Sequence, residues 1–324
     1  MTKRPDGGSI EAVVHDVGRP VPEGELAVSH EPAFAPADEA ARADEAARAA
    51  ELAARRSGVQ VRLLDALAEL EQVYELFDRI WQPDASNPPV TVEHLRAMTH
   101  AGNYAAGAFL DGELVGACVG FFASPPGHAL HSHVAGVAAA ARGRHVGFAL
   151  KVHQRSWALE RGLRDVTWTF DPLIRRNAYF NLAKLRARPQ EYLVDFYGDM
   201  DDAINEGQGS DRLLVRWALG DPAVVAACSS GGGSGPDEPA GAVAALTESA
   251  SGRPVAAPAA AWERAPSCLV RTPTDIEALR RADPVLARQW RLAMRDVLGG
   301  MLGSGAQVVG FTGSGAYVVE RTDG

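Results

Sequence analysis

From residue 59 onward the apolar positions fall into recognisable periods. VQVRLL (59–64) alternates as a strand does. Across 66–80, Leu67, Leu70, Val73, Phe77 and Ile80 return every three or four positions, the spacing of a helix with one buried side. Pro83, Pro88 and Pro89 interrupt the chain, and Thr91, with Glu93 and His94 following, opens a shorter helix to about Thr99. YAAGAFL (104–110) and ELVGACVGFF (113–122) flank Asp111-Gly112, a pair suited to the positive φ angles of a tight hairpin turn. Ser124-Pro125-Pro126-Gly127 predicts a second turn, and ALHSHVAGV (129–137) a third strand antiparallel to the one before it.

The pattern then changes. Arg142–Arg161 is a helix entered through a glycine-bearing loop, and DVTWTF (165–170) is a β-branched and aromatic strand. Because a helix crosses between them, this strand is expected to run parallel to 129–137. Residues 174–186 are helical, and YLVDFY (192–197) and RLLVRWAL (212–219) are strands. The order from 59 to 219 is therefore β-α-α-β-β-β-α-β-α-β-β, a mixed sheet of the α+β class.

The flanking segments differ in composition. Residues 1–36 are rich in Gly, Pro and Glu, without periodicity, and read as disordered. Residues 37–56 are nearly all strong helix formers, but their apolar face is mostly alanine. That predicts a solvated helix, with a partner-binding helix as the alternative. Together 1–58 read as an N-terminal tail, and 59–220 as the main domain. The stretch 221–262, containing SSGGGSG, reads as a flexible linker. The remainder, 263–324, supplies SCLVRT, a helix from about Thr274 to Met301 and the hairpin AQVVGF-TGSG-AYVVER. Some sixty residues seldom bury enough area to stand alone, so this extension is expected to dock on the main domain or on another subunit.

The chain has 324 residues, 46% of them hydrophobic, and a formal net charge of −9. The acidic balance argues against a general nucleic-acid binder. Cys118, Cys228 and Cys268 lie far apart, which suggests neither a disulfide framework nor a cysteine zinc site. No signal-peptide-like start and no apolar run of spanning length is evident, so a cytoplasmic protein without a membrane partner is expected.

Against this acidic background, the strand-to-helix corner at 137–149 carries a local basic cluster. The first-turn N–H groups of a helix lack internal partners, and the helix dipole adds positive potential there. Gly147 removes a side chain where anion oxygens would approach, Arg142 and Arg144 add charge, and Lys151 could add more one or two turns on. The segment Arg144-His145-Val146-Gly147-Phe148-Ala149 resembles the [Q/R]-x-x-G-x-[G/A] signature of the GNAT superfamily of acyl-CoA N-acyltransferases, and the order of elements over 59–219 is similar to that fold. The resemblance implies a GNAT-like sheet whose central strands splay apart, followed by the helix-hairpin extension. It implies acyl-CoA, acetyl or succinyl, as co-substrate and no metal. Val137 and Ala139 would pair with pantetheine, and the amides from Arg142 through Gly147, those of Arg144, His145 and Val146 among them, with Ala149 completing the signature, would hold the pyrophosphate. RRNAYFNLAKLRA (175–187) is similar to a second family segment, but Leu182 stands where the family's tyrosine usually falls.

N-acyl transfer needs a deprotonated amine and a proton for the departing sulfur. His131 and His133 share a face of their strand by two-residue alternation, and either is a candidate base; a structural role is the competing reading. A metal role lacks a third ligand. Asp171 is a further candidate base or a turn cap. Tyr179 is the first candidate for the thiolate-side acid, with Tyr192 and Tyr197 behind it, though each is equally suited to core packing. Asn177 is a candidate for bonding to the cofactor or for capping its helix. Arg175, Arg176, Arg212 and Arg216 are available for a carboxylate. The expected function is N-acylation of a small amine, an amino acid among the candidates, by direct attack in a ternary complex, with a homodimer left open. The alternative is a non-catalytic CoA-binding interaction protein on the same fold.

Overall fold

The computed structural model describes residues 36–82, 88–125, 127–198 and 209–321. The expected disorder of 1–36 concerns residues almost wholly outside this set.

Helix α1 (Pro36–Ser57) is built from Ala, Glu and Arg, as its propensities require. It is not a solvated tail. Ala46, Ala49, Ala50 and Ala53 are buried, and the helix lies against α4 (Val146–Leu159). Small side chains let the two backbones approach closely. The fully buried Arg155 of α4 closes the contact, donating to Glu45 at 2.7 Å and to the Leu219 carbonyl at 2.9 Å.

Seven strands form the main sheet: β1 (Gln60–Leu63), β2 (Tyr104–Leu110), β3 (Glu113–Phe122), β4 (Ala129–Val137), β5 (Asp165–Phe170), β6 (Arg188–Leu193) and β7 (Arg212–Ala218), in the order β1-β2-β3-β4-β5-β7-β6. Every neighbouring pair is antiparallel except β4 and β5, which are parallel because α4 crosses between them. The β2–β3 turn has positive φ at both Asp111 and Gly112, as their side chains permit. One face of the sheet packs on α2 (Leu67–Trp81) and α3 (Val92–His100) through Leu70, Val73, Leu76, Phe77 and Leu95; the other packs on α4. Strand β6 lies earlier than its hydrophobic pattern predicted. The chain turns over Val194–Gly198 instead, with positive φ at Asp195 and Gly198.

After β5 a short helix, α5 (Arg175–Ala178), continues as a π-helical stretch, Tyr179–Lys184. After β7 come α6 (Pro222–Ser230), β8 (Val243–Glu248), β9 (Pro254–Ala256), α7 (Ala259–Trp262) and β10 (Ser267–Arg271). The segment expected to be a linker thus contributes two strands. Ala245 and Leu246 of β8 are fully buried, and β8 pairs in parallel with β10. The alanine-rich strand shows no strong period in isolation; its partner supplies the order.

The expected single C-terminal helix is broken at Asp283-Pro284 into α8 (Ile276–Ala282) and α9 (Pro284–Met294). A second π-helical stretch, Arg295–Gly299, and α10 (Gly300–Gly303) follow. The Asp283 side chain caps α9 by accepting from the Leu286 amide, and proline, lacking an N–H, fits the first helical position. The predicted hairpin is β11 (Gln307–Phe311) and β12 (Ala316–Glu320). The second sheet runs β11-β12-β10-β8-β9.

Charged side chains tie this second sheet's helices to the main domain. Asp171, just after β5, accepts from Arg291 at 2.8 and 2.6 Å and from Arg280 at 2.5 Å. Asp211 accepts from Arg295 at 2.6 and 3.0 Å and from the Tyr192 hydroxyl at 2.8 Å. The Tyr317 hydroxyl donates to the Pro172 carbonyl at 2.7 Å.

Candidate active site

Strands β4 and β5 run side by side for three residue pairs, Ala129–Asp165, Leu130–Val166 and His131–Thr167, and then part. The gap encloses about 240 Å³. Ser132, His133, Ala135 and Val137 wall it on one side and Trp168, Thr169 and Phe170 on the other; Gly147, Leu150 and Lys151 reach it from α4, and Asn177, Phe180 and Asn181 from the helix after β5. It continues into a larger cavity of about 590 Å³ lined by Arg142, Gly143, His145, Val146 and Gly147. Val137, Gly147 and Asn177 border both spaces. The parted strands therefore open onto the N-terminus of α4.

That corner has the geometry of an anion site, with a narrower set of donors than expected. The amides of Arg142 and Arg144 are spent on the carbonyls of Ala139 and Ala141 at 3.2 and 3.4 Å. Those of Gly143, His145, Val146 and Gly147 have no acceptor among the described residues. His145 takes φ +62°, a left-handed conformation unusual for a residue with a side chain, and it presents the first turn of the helix to the cavity. At Gly147 an added Cβ would meet only Val137 Cγ2, at 3.8 Å. The glycine's direction is open space, as an approaching diphosphate requires.

Two expected cofactor residues lie elsewhere. Ala139 sits beyond the strand, in a 3₁₀ turn (Ala139–Ala141), and Ala135 with Val137 borders the slot instead. Ala149 is fully buried, and its amide donates to the His145 carbonyl at 3.1 Å. It serves packing, which explains why the signature tolerates only a small residue there.

The two histidines are related differently from simple alternation. The register between β3 and β4 slips so that Val119 faces Val134 while Gly120 faces Ser132, leaving His133 as the extra residue of a bulge. His133 consequently lines the slot, while His131 Nδ1 lies 3.3 Å from Thr167 Oγ1. Both rings contact Phe121, at 5.1 and 5.7 Å between centroids. Burial, with His133 and Lys151 nearby, lowers the His131 pKa to about 4, and burial also lowers that of His133. Both rings are thus biased towards the neutral form, which can accept a proton.

Tyr179 does not reach the slot. It borders a separate cavity with Arg175, Arg176, Thr274 and Glu277, where the second sheet docks. Tyr192 is bound to Asp211, and Tyr197 lies outside the slot with its hydroxyl 3.2 Å from Thr169 Oγ1. Asp171 is no candidate base: its two arginines hold the carboxyl well below the ordinary carboxylate range. Of the four arginines, Arg175 donates to the Thr272 carbonyl, Arg176 pairs with Glu277, and Arg216 pairs with Asp165 at 2.8 Å. Arg212 stacks over the Tyr197 ring.

Lys151 was expected to support the anion corner. Its side chain instead turns into the molecule at the far end of the slot. Nζ donates to Ser132 Oγ at 3.1 Å and Gln154 Oε1 at 2.8 Å and sits 3.7 Å from the Trp168 ring centroid. The structure supplies the reason: α4 is flanked by the sheet and by α1, so a lysine on it has little route to solvent, and a sequence reading that left 37–56 solvated could not show this.

Residues 40–180 match the family model described as an acetyltransferase (GNAT) domain. By this match, residues 40–180 are similar to a GNAT acetyltransferase domain; the remainder of the chain lies outside it. Among curated proteins none matches the chain. Solved structures with a similar outline include an N-acetyltransferase from Staphylococcus aureus (15% identity, 50% of this chain and 98% of that one, TM-score 0.42). Another is a ribosomal-protein-alanine N-acetyltransferase from Brucella melitensis (18%, 49% and 99%, 0.40). A third is a GNAT family acetyltransferase from Elizabethkingia anophelis with acetyl-CoA bound (11%, 50% and 98%, 0.38). Among the described residues no cluster of metal-ligating side chains occurs, and no helix is long and apolar enough to cross a membrane.

Proposed function

We propose that the protein transfers an acyl group from acyl-CoA to the amine of a small molecule, by direct attack with both substrates bound. The observation that carries this reading is the slot: a parallel strand pair that parts after three residues and opens onto unspent helix N-terminal amides. The chain fits the co-substrate in both parts. The amides of Gly143, His145, Val146 and Gly147 would hold the diphosphate, and the exposed backbone edge of β4 by Ala135 and Val137 would receive the amide groups of the pantetheine arm. Bound there, CoA supplies an activated thioester at the end of the slot nearest Ser132 and His133.

At that end His133, neutral and at the slot wall, accepts the proton of the incoming amine directly or through water. His131 is the weaker base because its pKa is lowered to about 4. Acetyl and succinyl groups are the candidate acyl groups, and amino acids are among the candidate acceptors. Coupled detection of free CoA, with acetyl-CoA and succinyl-CoA over a panel of amino acids and amines, tests the reading. Turnover with one acceptor class is the expected result. Tight CoA binding without turnover on any acceptor would leave the non-catalytic CoA-binding alternative in its place.

A further inference from the structure

We propose that Lys151 is the proton donor to the departing CoA thiolate. The inference rests on the acyl-CoA reading of the slot. A buried charge is ordinarily matched by an opposite one, because desolvation costs several kcal/mol otherwise. The Lys151 side chain is 5% exposed, yet its partners are the neutral Ser132 hydroxyl, the Gln154 carbonyl oxygen and the Trp168 ring. No carboxylate among the described residues lies within ion-pairing distance of Nζ. A cation with neutral partners, bordering a slot, is complementary to negative charge that arises within the slot. Thioester aminolysis creates such a charge on sulfur.

The position along α4 agrees. Gly147 marks the diphosphate end of the slot, and Lys151 follows one helical turn later, beside Ser132 where the strands begin to part. No tyrosine from the helix after β5 competes for the role: Leu182 is buried there and Tyr179 faces another cavity. In the step, the amine nitrogen bonds to the acyl carbon and the carbon–sulfur bond breaks. The sulfur takes a proton from the Lys151 ammonium, the amine's proton leaves through His133 to water, and neutral Lys151 regains a proton from solvent. Burial lowers the Lys151 pKa to about 8, so the ammonium is populated at neutral pH and gives up its proton readily. The titratable groups facing it are Cys118 on β3, whose effect opposes that lowering, and His131 on β4; β5 and β7 present the Trp168 and Trp217 rings. Glu45 of α1 is engaged by Arg155.

The test uses the full chain saturated with CoA. Thiolate absorbance is followed against pH, with the same protein bound to desulfo-CoA as reference so that protein cysteines cancel. In the native protein the bound thiol should titrate about one pH unit or more below its value in Lys151→Met. Identical titration in both overturns the proposal, whether or not an acceptor amine has been found. Failure of the native protein to bind CoA in calorimetry overturns both this proposal and the reading beneath it. Should Lys151→Met not fold, Lys151→Arg decides. It keeps a cation beside Trp168 but holds its proton too tightly to donate it, so the bound thiol stays acidic while kcat falls about 100-fold. An arginine variant with native kcat would show that Lys151 need not give up a proton and would overturn the proposal.

Discussion

Gly147 separates two properties that usually travel together, since in the proposed site its backbone amide would bind while the hydrogen in place of a side chain leaves room. Gly147→Glu would send a carboxylate from the first turn of α4 towards the parted strands, where only Val137 Cγ2 stands within 4 Å. The fold should survive, and CoA affinity by calorimetry should drop at least about 100-fold, through repulsion and steric conflict with the diphosphate. Undiminished affinity would remove the corner as the diphosphate site. His133→Ala should lower kcat about 100-fold or more with little change in the CoA dissociation constant, because the ring borders the slot on the sulfur side. His131→Ala should act more weakly, its lone pair being the poorer base and its Nδ1 lying against Thr167. The two rates measured side by side on a purified acceptor rank the histidines, and an unchanged rate in His133→Ala places the base elsewhere.

Elements differ in how far their sequence announces them. The strands β2 to β5 and helix α2 stand close to where hydrophobic period puts them, because each presents a continuous apolar face to a neighbour near in sequence. So does the strand-to-helix corner at 137–149, a local feature set by the end of β4 and the start of α4. Elements ordered by distant partners were harder to read. Helix α1 buries alanines that a solvated helix could equally carry, and β8 becomes a strand through pairing with β10. Asp171 shows the same difficulty at a site: of the two readings after DVTWTF the turn cap is the one formed, its carboxylate accepting from the Leu173 amide at 2.9 Å, but the arginines that also claim it lie more than a hundred residues on. Its carboxylate has a depressed pKa, so the linked stability is fully present above the unfolded value of about 3.9 and is lost as pH falls below it. Asp171→Asn should cost about 3–5 kcal/mol at neutral pH by leaving two buried guanidinium groups poorly matched. It should also flatten part of the acid limb of stability. Chemical denaturation at pH 7 and at pH 3 reads both; an unchanged midpoint at pH 7 contradicts the account.

At the scale of the whole molecule, the two sheets share a plan. From β3 to β6 the neighbour relations run antiparallel, parallel, antiparallel, antiparallel, and β9-β8-β10-β12-β11 follows the same succession. In each, a π-helical stretch precedes the last hairpin or strand pair. The second sheet does not float on a tether, because Asp171, Asp211 and Pro172 of the main domain are satisfied by Arg280, Arg291, Arg295 and Tyr317. A chain ending at Gly231 should therefore lose its cooperative thermal transition or precipitate, since it would strand a buried carboxylate and bare the apolar surface beneath α9 and β11. A soluble truncated protein with native CoA affinity would show that the main domain stands alone.

The indole of Trp168 forms part of the slot wall and lies directly under an ammonium group. Indole emission responds strongly to charge and polarity at its face. A molecule sliding between the strands should change the protein's ultraviolet fluorescence without any added dye. The chain carries its own optical reporter, and Trp168→Phe should remove the larger part of that change, leaving the weaker response of Trp217, whose ring centroid lies 5.7 Å from the same ammonium.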